Sequence, residues 1–396
     1  CTTCTGAGAN SSRSSSSNLW WANPAVVVND HYHSVFPPDV NAVFDHGKRD
    51  VSSFPIATGV YYKQDYSAGV DISKYKNIPV PTSYMAIQSK FDFVGGYEED
   101  VKGGLLHVAD HHVSPGKKQW TWGNGDFGRA WDRNLTDEDG PYIELMTGMY
   151  TDNQPDFTWL QPYEEKSWKQ YFMPYAEVGY VKNATKDALL NMEVKEGKGK
   201  VILYTTGVNK DVHVFVKDNV GGATLFDKVI SISPAEPFQA EFAAEGLKDE
   251  DILVEIRNHE GRILVSYQAD KPEIKPVPDP AKAAKDPKDI ASIEQLFLTG
   301  QHLEQYRHAT YDPTEYYKEA LRREPGDIRC NNAMGLWLMR KGQFAMAEPY
   351  FRKAIGTQTE RNPNPYDGEP HYNLGWSCLM HIPQESMQRF HQRFLH

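Results

Sequence analysis

A recurrence of residue types at a spacing of 34 governs the C-terminal quarter of the chain. Tyr317, Ala320 and Leu321 return in kind as Phe351, Ala354 and Ile355, with Gly300 and Gly335 ahead of them. A small residue lets two helices approach closely, and an aromatic and an alanine at fixed offsets then fill the seam. Each such unit buries its apolar faces only against its neighbours, so residues 290–396 are expected to stack as helix pairs.

This spacing is the tetratricopeptide signature, and its best copy runs through Asn332-Ala-Met-Gly335, Gly342, Ala347, Phe351 and Ala354. A further copy opens at Tyr372-Asn-Leu-Gly375, after an insert from Thr357 to Pro370 rich in Asn, Pro and Gly. The pattern is lost from His381 to His396. Two and a half repeats make a short array, suited to gripping a protein partner or a neighbouring copy of the same chain.

Ahead of the repeats the periodicity changes. Residues 271–289 carry five prolines among Lys, Asp and Ala, a composition that reads as an extended linker. Across 184–270 the pattern has period two: Val212, Val214 and Val216 alternate with His213, Phe215 and Lys217, and Asn258-His-Glu-Gly261 is a hairpin turn. A small immunoglobulin-like β-sandwich of about seven strands is expected there, as a spacer. Residues 19–183 hold short apolar runs broken by Gly, Pro, Asn and Asp, with no sustained 3.6-residue stripe, and read as β-rich with long loops. Residues 1–18 are Ser-rich, of low complexity, and read as disordered.

The net charge of −11 argues against a nucleic-acid partner, which needs a basic face. No run approaches the length of a membrane span. Cys1 and Cys4 have metal-ligand spacing, but no second pair follows, so neither a zinc site nor a disulfide framework is expected. Four cysteines fit a reducing, cytoplasmic setting without deciding it. No phosphate loop, dinucleotide fingerprint or Ser-His-Asp order is present, so no cofactor is expected.

Chemistry concentrates between residues 107 and 165, where imidazoles, carboxylates and indoles cluster. Rings stack on the apolar faces of pyranoses, while carboxylates and imidazoles bind hydroxyls and move protons. The longer segment from Leu19 to about Tyr180 carries Trp20-Trp21-Ala-Asn23-Pro24, Val35-Phe-Pro-Pro-Asp39, Asp45-His46-Gly47, Phe54-Pro-Ile-Ala-Thr-Gly59, His107-Val-Ala-Asp-His-His112, Gly116-Lys-Lys-Gln-Trp-Thr-Trp-Gly123 and Gly140-Pro-Tyr-Ile-Glu-Leu-Met-Thr-Gly148. In these motifs, over residues 19 to about 180, it resembles an uncharacterised bacterial family found ahead of tetratricopeptide repeats. That family is similar to the galactose-mutarotase-like superfamily, whose members bind sugars on the concave face of a β-supersandwich, as epimerases or as accessory domains of glycoside hydrolases. The resemblance implies a multidomain β + α chain: the C-terminal part of such a supersandwich over 19–183, a β-sandwich, and helical repeats.

Within this segment Glu144 sits in a strand-like run, and reads either as an acid/base group in a sugar cleft or as an outward strand residue. His107 and His111 are its candidate proton partners. With Asp110 and His112 they allow three readings: a metal site, sugar binding with proton transfer, or a hydrogen-bonded loop. Trp120 and Trp122 share strand parity and make a stacking platform or core. Trp20 and Trp21 point to opposite faces, so at most one reaches a cleft, and Trp20 is retained. Among the acidic loop residues Glu164 is retained. Lys117 and Lys118, after Gly116, read as a solvated turn. The functional expectation is a carbohydrate-binding or carbohydrate-active domain coupled to a protein-interaction array. Two rivals stand beside it: a scaffold whose repeats do the work, and a non-catalytic sugar-binding module.

Overall fold

The computed structural model describes residues 28–150, 165–271, 275–306 and 310–381, with the backbones of strands Thr2–Thr5, Ser14–Ser15, Leu19–Ala22 and Trp159–Leu160. The described residues up to Ala281 fall in one compact unit and those from Lys282 in a second.

Two antiparallel sheets build the first part of unit one. A six-stranded sheet runs in the spatial order Leu19–Ala22, Ile143–Gly148, Gly116–Thr121, Thr82–Ala86, Ala42–Phe44, Val51–Ser53. A four-stranded sheet has the order Tyr171–Ala176, Gly103–Val108, Phe93–Glu98, Tyr32–Val35. Val43, Tyr84, Ile143 and Leu145 of the first pack with Tyr32, Val94 and Leu105 of the second in one core. The other face of the four-stranded sheet, through Phe93, Leu106 and Tyr175, packs with Leu189 and Tyr204 of the following domain. Because both faces are covered, every residue of Phe93–Glu98 is buried. That crowding requires Gly96, where a Cβ would overlap the fully buried Tyr32 ring.

One helix, α1 (Asp126–Leu135), interrupts this β region, where the sequence read only strands and loops. It buries Gly128 and Asp132 and leaves Phe127, Trp131 and Leu135 exposed. The sequence reading failed because ten residues are too few to establish a stripe.

From Asn183 to Gln268 two four-stranded antiparallel sheets enclose a shared core, with eight strands where the sequence suggested about seven. Val212, Val214 and Val216 are fully buried, and Ile252–Arg257 pairs with Ile263–Gln268 across the turn at Asn258–Gly261. Asn258 Oδ1 accepts the amides of Glu260 and Arg262, and Gly261 takes φ +80°, a left-handed value that favours glycine. The Pro-rich segment begins against this unit: Asn41 Nδ2 donates to the Lys275 carbonyl, and the Ala281 amide to the Lys48 carbonyl.

The second unit contains α2 (Ile293–Tyr306), α3 (Pro313–Arg323), α4 (Ile328–Arg340), α5 (Phe344–Thr359) and α6 (Glu369–His381). Asp312 and Asp327 cap α3 and α4 by accepting the amides of Thr314 and Cys330. Gly300 of α2 lies against the Tyr317 ring, and Gly335 of α4 lies the same way against Phe351; a Cβ at either glycine would strike the ring. Ala320 and Ala354 are fully buried behind them. The 34-residue recurrence is therefore a repeated helix–helix seam. The insert from Thr357 to Pro370 begins by extending α5 and ends inside α6, so only its middle, residues 360–368, forms a loop. Residues 382–396, where the pattern fades, lie outside the described residues.

Candidate functional site

Strands Gly116–Thr121 and Ile143–Gly148 pair with Trp120 opposite Glu144 and Lys118 opposite Met146. Opposed residues of an antiparallel pair share a face, and alternate residues along each strand do too. Lys118, Trp120 and Glu144 therefore share the face turned away from the core residues Ile143 and Leu145. Trp122, just past the strand end, continues the row.

These side chains are linked. Trp122 Nε1–H donates to the Tyr142 hydroxyl at 3.1 Å, and Tyr142 donates to Glu144 Oε1 at 3.1 Å. Glu144 Oε2 is buried and has no hydrogen-bond partner among the described residues. Lys118 Nζ lies 3.0 Å from Nε2 of His46, on the short 3-10 turn His46–Lys48, and that imidazole meets Trp120 edge-on at 5.6 Å. Trp120 and Trp122 meet at 5.4 Å, edge to face. Trp131 of α1 stacks nearly parallel on Trp122, at 4.8 Å and 13°. The helix can approach this closely because Gly128 sits over the Trp122 and Gly123 carbonyls, where a Cβ would collide with backbone.

Burial sets the electrostatics. Lys118 is fully buried, and its pKa falls to about 8 as burial outweighs the attraction of Glu144. Burial raises the pKa of Glu144, opposed by the Tyr142 hydrogen bond and by Lys118. Burial, reinforced by Lys118 and Arg49, lowers His46 to about 4. A neutral His46 accepts the Lys118 proton through Nε2, so its own proton resides on Nδ1, 3.5 Å from the Tyr62 hydroxyl. Glu144 thus has one oxygen held by a phenol and one buried without a hydrogen-bond partner among the described residues, beside a cation and among rings. Such a group can bind a hydroxyl or exchange a proton with it.

The other sequence candidates lie elsewhere. His107 is 2% exposed in Gly103–Val108, accepts from Gln170 Nε2 at 2.9 Å, and lies 3.0 Å from Thr147 Oγ1. Thr147 has odd parity and Glu144 even parity on the same strand, so His107 is on the core side of the sheet that carries Glu144 on its other side. Burial lowers its pKa to about 3, which keeps it neutral. His111 Nδ1 pairs with Asp92 at 2.7 Å and His112 Nδ1 with Asp110 at 2.9 Å. Asp110, His111 and His112 bring one potential metal-ligating atom each within 4.8 Å of one another, in a turn where Asp110 and His112 are exposed. None of the contacts of these residues includes the Glu144 cluster. The Trp20 backbone pairs with Met146, next to the cluster, but its side chain lies outside the described residues, as does all of Glu164.

Lys117 and Lys118 form no solvated turn: they are 3% and 0% exposed within Gly116–Thr121. The strand extends further toward Gly116 than its Gly and Lys content suggests, because Ile143–Gly148 pairs with it as far as Gly116 while Thr82–Ala86 pairs from Lys118 on. Sequence reasoning also passed over His46, Tyr142, Trp131 and Lys118 as site residues. The parity argument already used for Trp120 and Trp122 reaches Lys118 as well, and it joins Tyr142 to Glu144.

Residues 5–175 match the family model described as Domain of unknown function (DUF5107). Residues 183–267 match another, YphG-like protein, second domain. Each β portion of the chain thus matches a separate domain family. Among solved structures, the chain is similar to a TPR-domain containing protein from Parabacteroides distasonis ATCC 8503, with 14% identity and a TM-score of 0.29 over 91% of this chain and 49% of that one. A glycosyl hydrolase family 2 member from Bacteroides cellulosilyticus matches with 12% identity and a TM-score of 0.17, over 59% of this chain and 34% of that one. The chain therefore spans about half the length of the first and a third of the second. Among the described residues no helix is long and apolar enough to cross a membrane.

Proposed function

We propose that the face carrying Glu144 binds a carbohydrate, and that the helical repeats hold a protein partner or a second copy of the chain. The observation that carries the first half is the Trp122–Tyr142–Glu144 relay, which orients a carboxylate whose buried Oε2 has no hydrogen-bond partner among the described residues. The resemblance to galactose-mutarotase-like sugar-binding folds points the same way. If the domain turns a sugar over, Glu144 is the group that takes or gives the proton. Lys118 and His46 are then its basic neighbours, in place of His107 and His111, and Lys118 favours the ionised form of Glu144.

The test is a thermal-shift titration of the full chain with mono- and oligosaccharides, since a ligand of the native state raises the melting temperature with saturation. Glu144→Gln removes a charge-assisted hydrogen bond and is expected to weaken binding roughly tenfold to a hundredfold while the ligand-free melt is kept. A cooperative melt that no sugar shifts would transfer the function to the repeats, with the β domains as scaffold.

A further inference from the structure

Helix α1 has its amphipathicity inverted. Its apolar residues Phe127, Trp131 and Leu135 fall on one stripe at four-residue spacing, yet they are 59%, 38% and 48% exposed, while Gly128 and Asp132 face inward. Scattered apolar residues on a surface need no explanation, but a helix that turns its stripe to water does. The stripe is continuous with the candidate site. Trp131 stacks on Trp122, whose Nε1–H begins the relay to Glu144, and Phe127 lies 6.3 Å from Trp131 and 6.5 Å from Trp122. From Glu144 outward, the surface is thus a row of rings held in place by the tight seat of Gly128.

We propose that Phe127 and Trp131 form an outer stacking subsite for a second sugar unit, so that the ligand of the Glu144 face is an oligosaccharide and not a free monosaccharide. This inference rests on the carbohydrate reading above. Three side chains exposed to this degree offer on the order of 250 Å² of apolar surface, well below the roughly 800 Å² per partner of a stable protein interface. Asn134, three residues on from Trp131 and next to Leu135, is the exposed polar residue beside the stripe, and its amide can bind a hydroxyl of a stacked pyranose. A ring face with a hydrogen-bonding group at its side matches a sugar, which has an apolar face and a polar edge.

The experiment is isothermal titration of the full chain with glucose, galactose and the malto-, cello- and β-1,4-galacto-oligosaccharides of two to four units. Affinity is expected to rise about tenfold from the monosaccharide to the longer members of the series that binds. In Phe127→Ala that rise should shrink to about threefold or less, with monosaccharide affinity within about twofold of the parent, and in Trp131→Ala the ratio between the longer members and the monosaccharide should shrink as far. Equal affinity for all lengths, or an undiminished rise in both variants, would overturn the subsite and leave the carbohydrate reading standing. Failure of every saccharide to bind would overturn both. A concentration-dependent dimer lost in both variants, with no change in sugar affinity, would assign the stripe to self-association instead.

Discussion

Between pH 7.5 and 9.5 the β unit is expected to gain stability, against the usual trend. Lys117 and Lys118 are buried on opposite faces of one strand, and burial lowers each from 10.5 to about 8. In this window the folded lysines release their protons while the unfolded ones keep theirs. The unfolded state therefore binds more protons, and stability rises with pH. Each lysine contributes roughly 2 kcal/mol between pH 8 and 9.5, as an order of magnitude. The gain ends near pH 10, because buried phenols such as Tyr61 and Tyr84 stay protonated in the fold while unfolded tyrosines ionise. On the acid side His46 and His33 titrate near 4 and His107 near 3, all lowered by burial from 6.5. Stability is then lost as the pH falls below about 6.5, since the unfolded imidazoles take up protons that the folded ones refuse. Urea melts followed by near-ultraviolet circular dichroism measure both limbs. Lys117→Met or Lys118→Met should halve the alkaline rise, and the double variant should flatten it. A parent protein whose stability stays level or declines from pH 7.5 to 9.5 contradicts the burial of these two ammonium groups.

Phe351→Ala is expected to cost the helical unit about 3–5 kcal/mol, the range for truncating a fully buried phenylalanine. Phe351 fills the seam that Gly335 leaves open between α4 and α5, so its loss produces a cavity bounded by backbone that cannot collapse. Tyr317 fills the equivalent seam between α3 and α2 and also donates from its hydroxyl to Glu304 at 2.8 Å. Ellipticity at 222 nm during urea denaturation reports the change, because most of the helix lies in this unit. Phe351→Leu should recover most of the loss. A wild-type transition in Phe351→Ala would mean that the repeated aromatic is not what holds the helices together.

The repeat seam was readable in the sequence because its determinant is local spacing: Gly300 with Tyr317, then Gly335 with Phe351, fall where packed helix pairs demand them. The valines at 212, 214 and 216 were equally plain, since strict alternation has one physical meaning. The Glu144 cluster was readable only in part. Trp120, Trp122 and Glu144 follow from strand parity, and so does Lys118, once Gly116–Thr121 is taken as a strand and not a turn. His46 reaches Lys118 from 72 residues away in the chain, and no local pattern announces that approach. His107 misled for the complementary reason: it is near Glu144 in sequence density but is carried by the other sheet, and which face of which sheet a residue serves is decided by long-range pairing. Helix α1 was hidden because it is ten residues long and its stripe has three large apolar positions, Phe127, Trp131 and Leu135, too short a run to stand out among the surrounding strands.

Hydrogen–deuterium exchange of the full chain, with and without the tightest-binding saccharide of the panel, tests the central claim most directly. Protection concentrated in residues 116–122 and 142–148, extending into 126–135 for oligosaccharides, is the predicted result. A saccharide that protects only segments away from these three, or none that protects any, would contradict a carbohydrate site at Glu144.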